Sequence, residues 1–246
     1  MIFSALGGLV PGKDAVLDDD EEFEEEQDEP FERVTRGRVA LDNISFEAKG
    51  GECLGIVGPP LSGKSILMRI LAGLAPPTSG RVVIRGRVAP ALGSAMDLFP
   101  RFGRVKGTLP SYAALVGIPP RLARARFPEI MDFLGSTELA KRHVSSLSKG
   151  ERWSLILTLA LHVDADVVLI DGATPLDPFG TACRERLIEL KHSGVLVILT
   201  GQTVESVSWL ADRVIQIESG GVVGEERIDP SYEIDPEASV DTRIPT

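Results

Sequence analysis

The sequence predicts an α/β fold with a parallel-sheet core, an antiparallel β edge and an inserted helical subdomain. Short continuous runs of Val, Ile and Leu recur in both halves of the chain, as in parallel strands buried on both faces. A Gly-rich loop joins one of these runs to a helical pattern. Between the two halves lies an Arg-rich stretch without strand patterns, which predicts a helical insertion.

The first half reads as strand, turn, strand, loop, helix and strand. Alternating residues 38–46 predict an entry strand, and a Gly-Gly turn leads to a buried strand at 52–57. Residues 66–74 have helical spacing, which Pro76 and the following proline end. Residues 81–85 then predict a further strand.

The helical insertion is expected at about residues 93–163, and the alternation of strands and helices returns from residue 166. Its helical patterns cover residues 111–116, 121–134 and 151–162. The later strands are predicted at 167–170, 195–199 and 213–217, with helices at 179–191 and 204–210. The domain therefore spans residues 34–224, between an N-terminal tail (1–33) and a C-terminal tail (225–246).

The N-terminal tail is strongly acidic. Residues 18–29 contain ten acids and no base, and without them the net charge of −10 becomes zero. A balanced domain argues against nonspecific nucleic-acid binding, which needs a basic face. The acidic run is either a solvated, self-repelling tail or a docking segment for a basic partner.

Cysteine content and hydropathy predict the cellular compartment of the chain. Cys53 and Cys183 are the only cysteines, and neither lies in a CxxC or Cys/His pattern. We therefore expect a reduced, cytoplasmic setting and no zinc site. The apolar stretch at 155–163 is far shorter than the roughly 18 residues of a membrane span, and the apolar first ten residues lack the charge and cleavage pattern of a signal peptide.

The Gly-rich loop fits the pattern GxxxxGK[ST], between a buried strand and a helix. In this P-loop NTPase pattern, backbone N–H groups surround a phosphate at the positive end of a helix. Lys64 is expected to reach the β- and γ-phosphates of ATP, while Ser65 and Asp171 hold Mg²⁺. The alternative is a Gly-rich turn with a surface lysine. The nucleotide-binding candidates in the loop are Gly58, Pro59, Pro60, Leu61, Ser62, Gly63, Lys64 and Ser65.

A second motif, LSKGE, precedes an apolar helix. Ser148 and Glu151 have the S-x-x-E spacing of a capping box, and capping alone could explain them. The motif falls between Lys64 and Asp171, at the junction of the helical insertion and the sheet.

With these motifs in this order, residues 34–224 resemble the ATP-binding subunits of ABC transporters. LSKGE approximates the family signature LSGGQ, and the sequence TPLD, which ends at Asp177, approximates the D-loop SALD. The stretch up to GRVAP is similar to the branch that serves capsular polysaccharide, O-antigen and teichoic acid exporters. The resemblance implies a peripheral protein on the inner face of the cell membrane, bound to an integral-membrane permease subunit.

The resemblance also implies two ATP-binding domains that clasp nucleotide between them. Ser148 and Gly150, with Lys149 and Glu151 beside them, would then face the γ-phosphate held by the partner chain. Phe31 is the candidate for stacking on adenine.

The residues that the family uses for hydrolysis are replaced. Gly172 follows Asp171 where the family has a glutamate, and Gln202 stands at the position of the switch histidine. Gly93 lies about where the Q-loop glutamine belongs, which leaves Asp97 as the only candidate substitute. His143, His162 and His192 are interpreted as ordinary surface or core residues. No confident catalytic residue remains, so we expect ATP binding with weak or absent hydrolysis.

Several alternatives stay open. The assembly is a homodimer or, as we prefer, a heterodimer with an intact paralogue. The chain could instead be a regulatory or scaffolding ABC-like protein, or a small-molecule kinase. A GTPase is excluded, because Asn43 is the only asparagine and no lysine follows it. The arginines that a kinase would use are Arg101, Arg104, Arg121, Arg124 and Arg126.

Overall fold

A computed structural model describes residues 8–9, 39–172 and 180–228 of the chain. Its main sheet has six strands in the order β4-β5-β6-β3-β7-β8. The strands in chain order are β1 (Gly8–Leu9), β2 (Val39–Leu41), β3 (Cys53–Val57), β4 (Val88–Leu92), β5 (Val167–Asp171), β6 (Leu196–Gly201), β7 (Arg213–Glu218) and β8 (Gly221–Arg227). Strands β4, β5, β6, β3 and β7 pair in parallel, and β8 pairs with β7 antiparallel. The predicted α/β fold with a parallel core and an antiparallel edge is confirmed.

The central strands of the sheet are buried, and helices pack against them. Every residue of β3 and β5 is buried, which explains why these strands read as unbroken apolar runs. In β3, Leu54 pairs with Ile198 of β6 on one side and with Arg213 of β7 on the other. The loop that follows β3 therefore starts at the middle of the sheet's carboxyl edge.

Six α-helices accompany the strands in the described part of the chain. They are α1 (Lys64–Leu71), α2 (Val105–Leu115), α3 (Pro120–Phe133), α4 (Lys149–His162), α5 (Gly180–His192) and α6 (Glu205–Ser208). The helices α2, α3 and α4 lie in sequence between β4 and β5, so the helical insertion is present. The insertion has its own packing around Tyr112, which is fully buried and stacks at 5.0 Å on Phe99.

The prediction of a strand at residues 81–85 is wrong. These residues alternate between exposed and half-buried positions, but they pair with no strand in the described ranges. The sheet strand is instead β4, whose Pro90 disguised it in the sequence. Proline lacks the N–H that an interior strand must donate, and β4 tolerates it because it lies at the edge of the sheet.

Two further boundaries differ from expectation. The entry strand predicted at 38–46 is limited to β2, which forms a separate antiparallel pair with β1. At the other end, β8 continues to Arg227 and so extends past residue 224, where we expected a tail to begin. Hairpin pairing with β7 keeps these polar residues in the sheet.

Candidate nucleotide site

The loop of residues 58–65 leaves the carboxyl end of β3 and enters α1 at Lys64. Gly58 has a φ of 153°, and a Cβ there would lie 2.0 Å from the Ile217 carbonyl oxygen of β7. Gly63 has a φ of 103°, and a Cβ there would lie 2.6 Å from the Ala40 carbonyl oxygen of β2. Both positions therefore require glycine, and the loop is tied closely to the two strands beside it.

The Lys64 side chain folds back over this loop. Its ammonium group donates hydrogen bonds to the carbonyl oxygens of Gly58 and Pro59, both at 2.7 Å, and to the Ser62 hydroxyl at 3.1 Å. Burial lowers the pKa of Lys64, while the nearby Asp171 carboxylate acts in the opposite direction. The positive charge of Lys64 is thus held against the oxygens of the loop itself.

Other loop residues are exposed. Pro59, Pro60 and Ser65 present their side chains to the surface, whereas Ser62 is buried. Leu61 is unusual because its φ is 65° although it is not a glycine, and its side chain is 90% exposed. This left-handed backbone costs about 1–2 kcal/mol for a residue with a Cβ.

Asp171 ends β5, and β6 separates that strand from β3. The Thr200 hydroxyl of β6 donates a 2.8 Å hydrogen bond to the Asp171 carboxylate, and the Gly172 N–H donates to the same hydroxyl at 2.9 Å. Asp171 and Thr200 are 9% and 2% exposed. These two hydrogen bonds fix the direction of the Asp171 carboxylate at the edge of the sheet from which the loop starts.

Sequence reasoning missed Thr200. Its signal was weak because a threonine at a strand end is common, and its contact with Asp171 depends on strand order. Only the adjacency of β5 and β6 brings these residues together.

Three positions at which the sequence predicts the loss of hydrolytic side chains also lie at this edge. Gly172 directly follows Asp171 with a φ of 98°, and Gln202 follows β6 with an exposed side chain. Gly93 follows β4, and a Cβ there would lie 3.7 Å from the Asp171 carbonyl oxygen. Asp97 lies further on in a 3-10 turn, where its side chain is 91% exposed and 3.9 Å from Arg101.

The LSKGE motif begins α4. The Ser148 hydroxyl accepts a 3.1 Å hydrogen bond from the Glu151 N–H, and the Glu151 carboxylate accepts a 2.8 Å bond from the Ser148 N–H. The predicted capping box is confirmed. The first turn of α4 leaves Lys149 and Gly150 exposed, so capping and a role in partner contact are compatible.

Arg142 is a second residue that the sequence did not reveal. Its guanidinium pairs with the Glu151 carboxylate and donates a 2.8 Å hydrogen bond to the Ser146 carbonyl oxygen. The hydrogen bond from the Ser148 N–H is the main reason why the pKa of Glu151 lies below its usual range, and the Arg142 guanidinium contributes to the same shift.

The remaining candidates divide into two groups. Phe31 and Asp177 lie outside the described residues. Among the histidines, His162 is half-buried against Phe133, and this burial lowers its pKa. Its Nδ1 lies 2.8 Å from the Thr158 carbonyl oxygen. His143 and His192 belong to the surface of the helical insertion and the end of α5.

This fold and loop define a P-loop nucleotide-binding domain. The profile described as ABC transporter matches residues 41–175, and the chain belongs to that family. The chain is 31% identical over 219 residues to the Nod factor export ATP-binding protein I of Sinorhizobium fredii. The aligned region covers 84% of this chain and 62% of that protein.

Other relatives have different printed roles. The methionine import ATP-binding protein MetN of Geobacillus kaustophilus is 31% identical and covers 75% of this chain and 59% of that protein. The teichoic acids export ATP-binding protein TagH of Levilactobacillus brevis is 30% identical and covers 74% of this chain and 50% of that protein. The chain thus spans 62% or less of the length of these three relatives.

Solved structures agree on the fold. The dimeric ABC transporter cassette MJ0796 superposes with a TM-score of 0.71 at 18% identity, over 93% of this chain and 99% of that one. Within the described ranges, no helix is long and apolar enough to cross a membrane.

Proposed function

We propose that this chain is the ATP-binding subunit of an ABC exporter and that it binds ATP and Mg²⁺ with weak or absent hydrolysis of its own. The observation that carries the proposal is the contrast between an intact phosphate loop and a glycine after Asp171. Gly58 and Gly63 are sterically required, and Lys64 is centred on the loop. The position that would hold or orient the attacking water has no side chain.

The residues present fit a magnesium–triphosphate. The loop N–H groups and the amino end of α1 suit phosphate oxygens, and the Lys64 ammonium suits the β- and γ-phosphates. Ser65 and Asp171 supply a hydroxyl and a carboxylate oxygen, which are ligands that Mg²⁺ prefers. When bound, the metal would neutralise phosphate charge, while Thr200 keeps Asp171 oriented toward the loop edge.

The weak hydrolysis proposal rests on three positions together. Gly172 cannot act as a base, and Gln202 can donate a hydrogen bond but cannot carry a proton. The edge position at Gly93 lacks a side chain, and Asp97 is directed to solvent. The site can therefore bind and orient the nucleotide while it lacks groups that prepare water for attack.

The exposed first turn of α4 is the proposed contact with nucleotide held by a partner domain, through Ser148 and Gly150. A heterodimer with an intact paralogue is preferred, because this chain could still contribute that turn to a working site. A permease subunit would hold the pair on the inner face of the cell membrane. Export of a cell-surface polysaccharide or glycolipid is supported by the names of the Nod factor and teichoic acid relatives.

A regulatory or scaffolding ABC-like protein is the second candidate, and the same three replacements favour it. One experiment separates the two. The full chain is purified from native membranes, its companions are identified, and its turnover of ATP is measured. A transporter subunit should bring a second ATP-binding chain and an integral-membrane protein with it. Recovery without either would favour scaffolding, and robust turnover by the isolated chain would contradict the proposed loss of hydrolysis.

A further inference from the structure

The helical insertion carries a groove between α2, α3 and the 3-10 turn Thr137–Lys141. Its volume is about 1130 Å³. The floor includes the side chains of Phe127 and Met131, with Pro128 and Ala140 beside them. It is large enough to receive an aromatic side chain together with the peptide that carries it.

Four cations surround this apolar floor, namely Arg104, Lys106, Arg124 and Lys141. Lys106 and Arg124 are exposed and have no hydrogen-bond or ion-pair partner within residues 39–172 and 180–228. Lys141 pairs with Glu138 at 2.8 Å, and the Arg104 guanidinium donates to the Lys141 carbonyl. Two positive charges, those of Lys106 and Arg124, thus border an apolar surface without a partner in the described ranges.

The groove is basic even after its acids are counted. Glu129 and Asp132 also line it, but Glu129 is engaged by Arg126 at 3.0 Å. Residues 101–143 as a whole contain eight Arg or Lys and three acids. The surface therefore attracts an acidic ligand, and its floor favours one with an apolar side chain.

A segment with that chemistry is present in the same chain. Residues 18–29 contain ten acids and one aromatic residue, Phe23, at their centre. We propose that residues 18–29 dock in this groove of their own chain, with Phe23 on the apolar floor and the flanking carboxylates against the basic rim.

Chain length permits this contact. Fifteen residues lie between Phe23 and Val39, the first residue of β2. An extended chain of that length reaches about 50 Å, whereas a domain of this size has a radius of gyration of roughly 16 Å.

Charge and apolar contact contribute differently to the docking. Exposed ion pairs are weak and are screened by salt over about 8 Å at physiological ionic strength. Burial of the Phe23 ring supplies a salt-independent part and selects this groove among other basic surfaces.

Zero-length carbodiimide cross-linking of the full chain tests the proposal, because it joins carboxylates to lysines in contact. The acidic segment should link to Lys106 and Lys141, at the groove, far more than to Lys49 and Lys149, which are equally exposed elsewhere. Phe23→Ser keeps all ten acids, and it should reduce the groove links roughly tenfold, which corresponds to about 1.4 kcal/mol. Arg124→Glu, at an exposed position, should reduce them as well.

Mixing isotope-labelled and unlabelled chains identifies the source of the segment. Links within one molecule support the proposal. Links between molecules would overturn it in favour of a contact between two copies. Links distributed evenly over the four lysines, or unaffected by Phe23→Ser, would show only unspecific attraction and would also overturn it.

Discussion

The Thr200 hydroxyl joins the Asp171 carboxylate to the backbone N–H of Gly172, through hydrogen bonds of 2.8 and 2.9 Å. All three groups lie where β5 and β6 end beside the phosphate loop. A buried hydroxyl that both donates and accepts makes the position of Asp171 depend on Thr200.

Thr200→Val should therefore weaken the effect of Mg²⁺ on ATP binding. The substitution keeps the shape of the side chain but leaves a buried carboxylate oxygen and a backbone N–H without a partner, which costs about 1–3 kcal/mol of stability. Thr200→Ser, which keeps the hydroxyl, is the matched control. Nucleotide titrations with and without Mg²⁺ and urea unfolding measure the two effects. Equal Mg²⁺ dependence in Thr200→Val and the native chain would show that Thr200 does not orient Asp171.

Ser148→Asp separates the two roles of the LSKGE motif. Aspartate caps a helix about as well as serine, so the free energy of unfolding should change by less than about 1 kcal/mol. A carboxylate at this position would repel a γ-phosphate held by a partner, so ATP-dependent association should be lost. Ser148→Ala, which removes the cap, should instead destabilise the chain by about 1 kcal/mol. If Ser148→Asp and the native chain show equal ATP-dependent association, the motif acts only as a helix cap.

Leu61→Gly should stabilise the chain. The left-handed backbone at this position costs leucine about 1–2 kcal/mol, and glycine removes this cost. Because glycine has greater freedom in the unfolded chain, about 0.5–1 kcal/mol of the gain is lost again. The side chain is 90% exposed, so little packing is lost. Leu115→Gly, at the exposed last residue of α2, is the control and should destabilise the chain by about 0.5–1 kcal/mol. Urea unfolding of both variants measures the difference, and a loss of stability in Leu61→Gly would contradict the strain.

The two thiols should be unreactive in the native chain at pH 8. Burial raises the pKa of Cys183 to about 11 and raises that of Cys53 well above its usual value. Thiolate is the reactive form and predominates only above the pKa. About one Cys183 side chain in a thousand is therefore ionised at pH 8, against roughly one in four for a free cysteine. Labelling with a disulfide reagent should accelerate toward pH 11, and two thiols should react at once in denaturant. Fast labelling of the native chain at pH 8 would be inconsistent with the buried core.

Local patterns located the loop after β3 and Asp171 at the end of β5, because both depend on a short motif after an apolar run. They failed at β4, where Pro90 masked a strand that is permitted only at the sheet edge. They also missed Thr200, whose partner Asp171 is 29 residues away, and Arg142, whose contact with Glu151 depends on how the insertion folds before α4. Contacts that depend on strand order or on the fold of the insertion cannot be derived from spacing alone.

Residues 81–85 show the opposite failure. They contain three consecutive apolar residues between two arginines, and their side chains alternate between exposed and half-buried positions. A strand also needs a partner for its backbone hydrogen bonds, and none is present in the described ranges. The run of Val and Ile thus predicted a strand that has no pairing partner in the described ranges.

The central claim is that the loop around Lys64 receives a magnesium–triphosphate. Calorimetric titration of the full chain with Mg–ATP tests it most directly, with Lys64→Met and, as a control at an exposed lysine, Lys49→Met. We expect saturable binding by the native chain and by Lys49→Met, and an affinity about 10–100-fold lower for Lys64→Met, since a charge-assisted hydrogen bond contributes about 1.5–3 kcal/mol. Absence of binding by the native chain, or equal affinity in the Lys64 variant, would contradict the account.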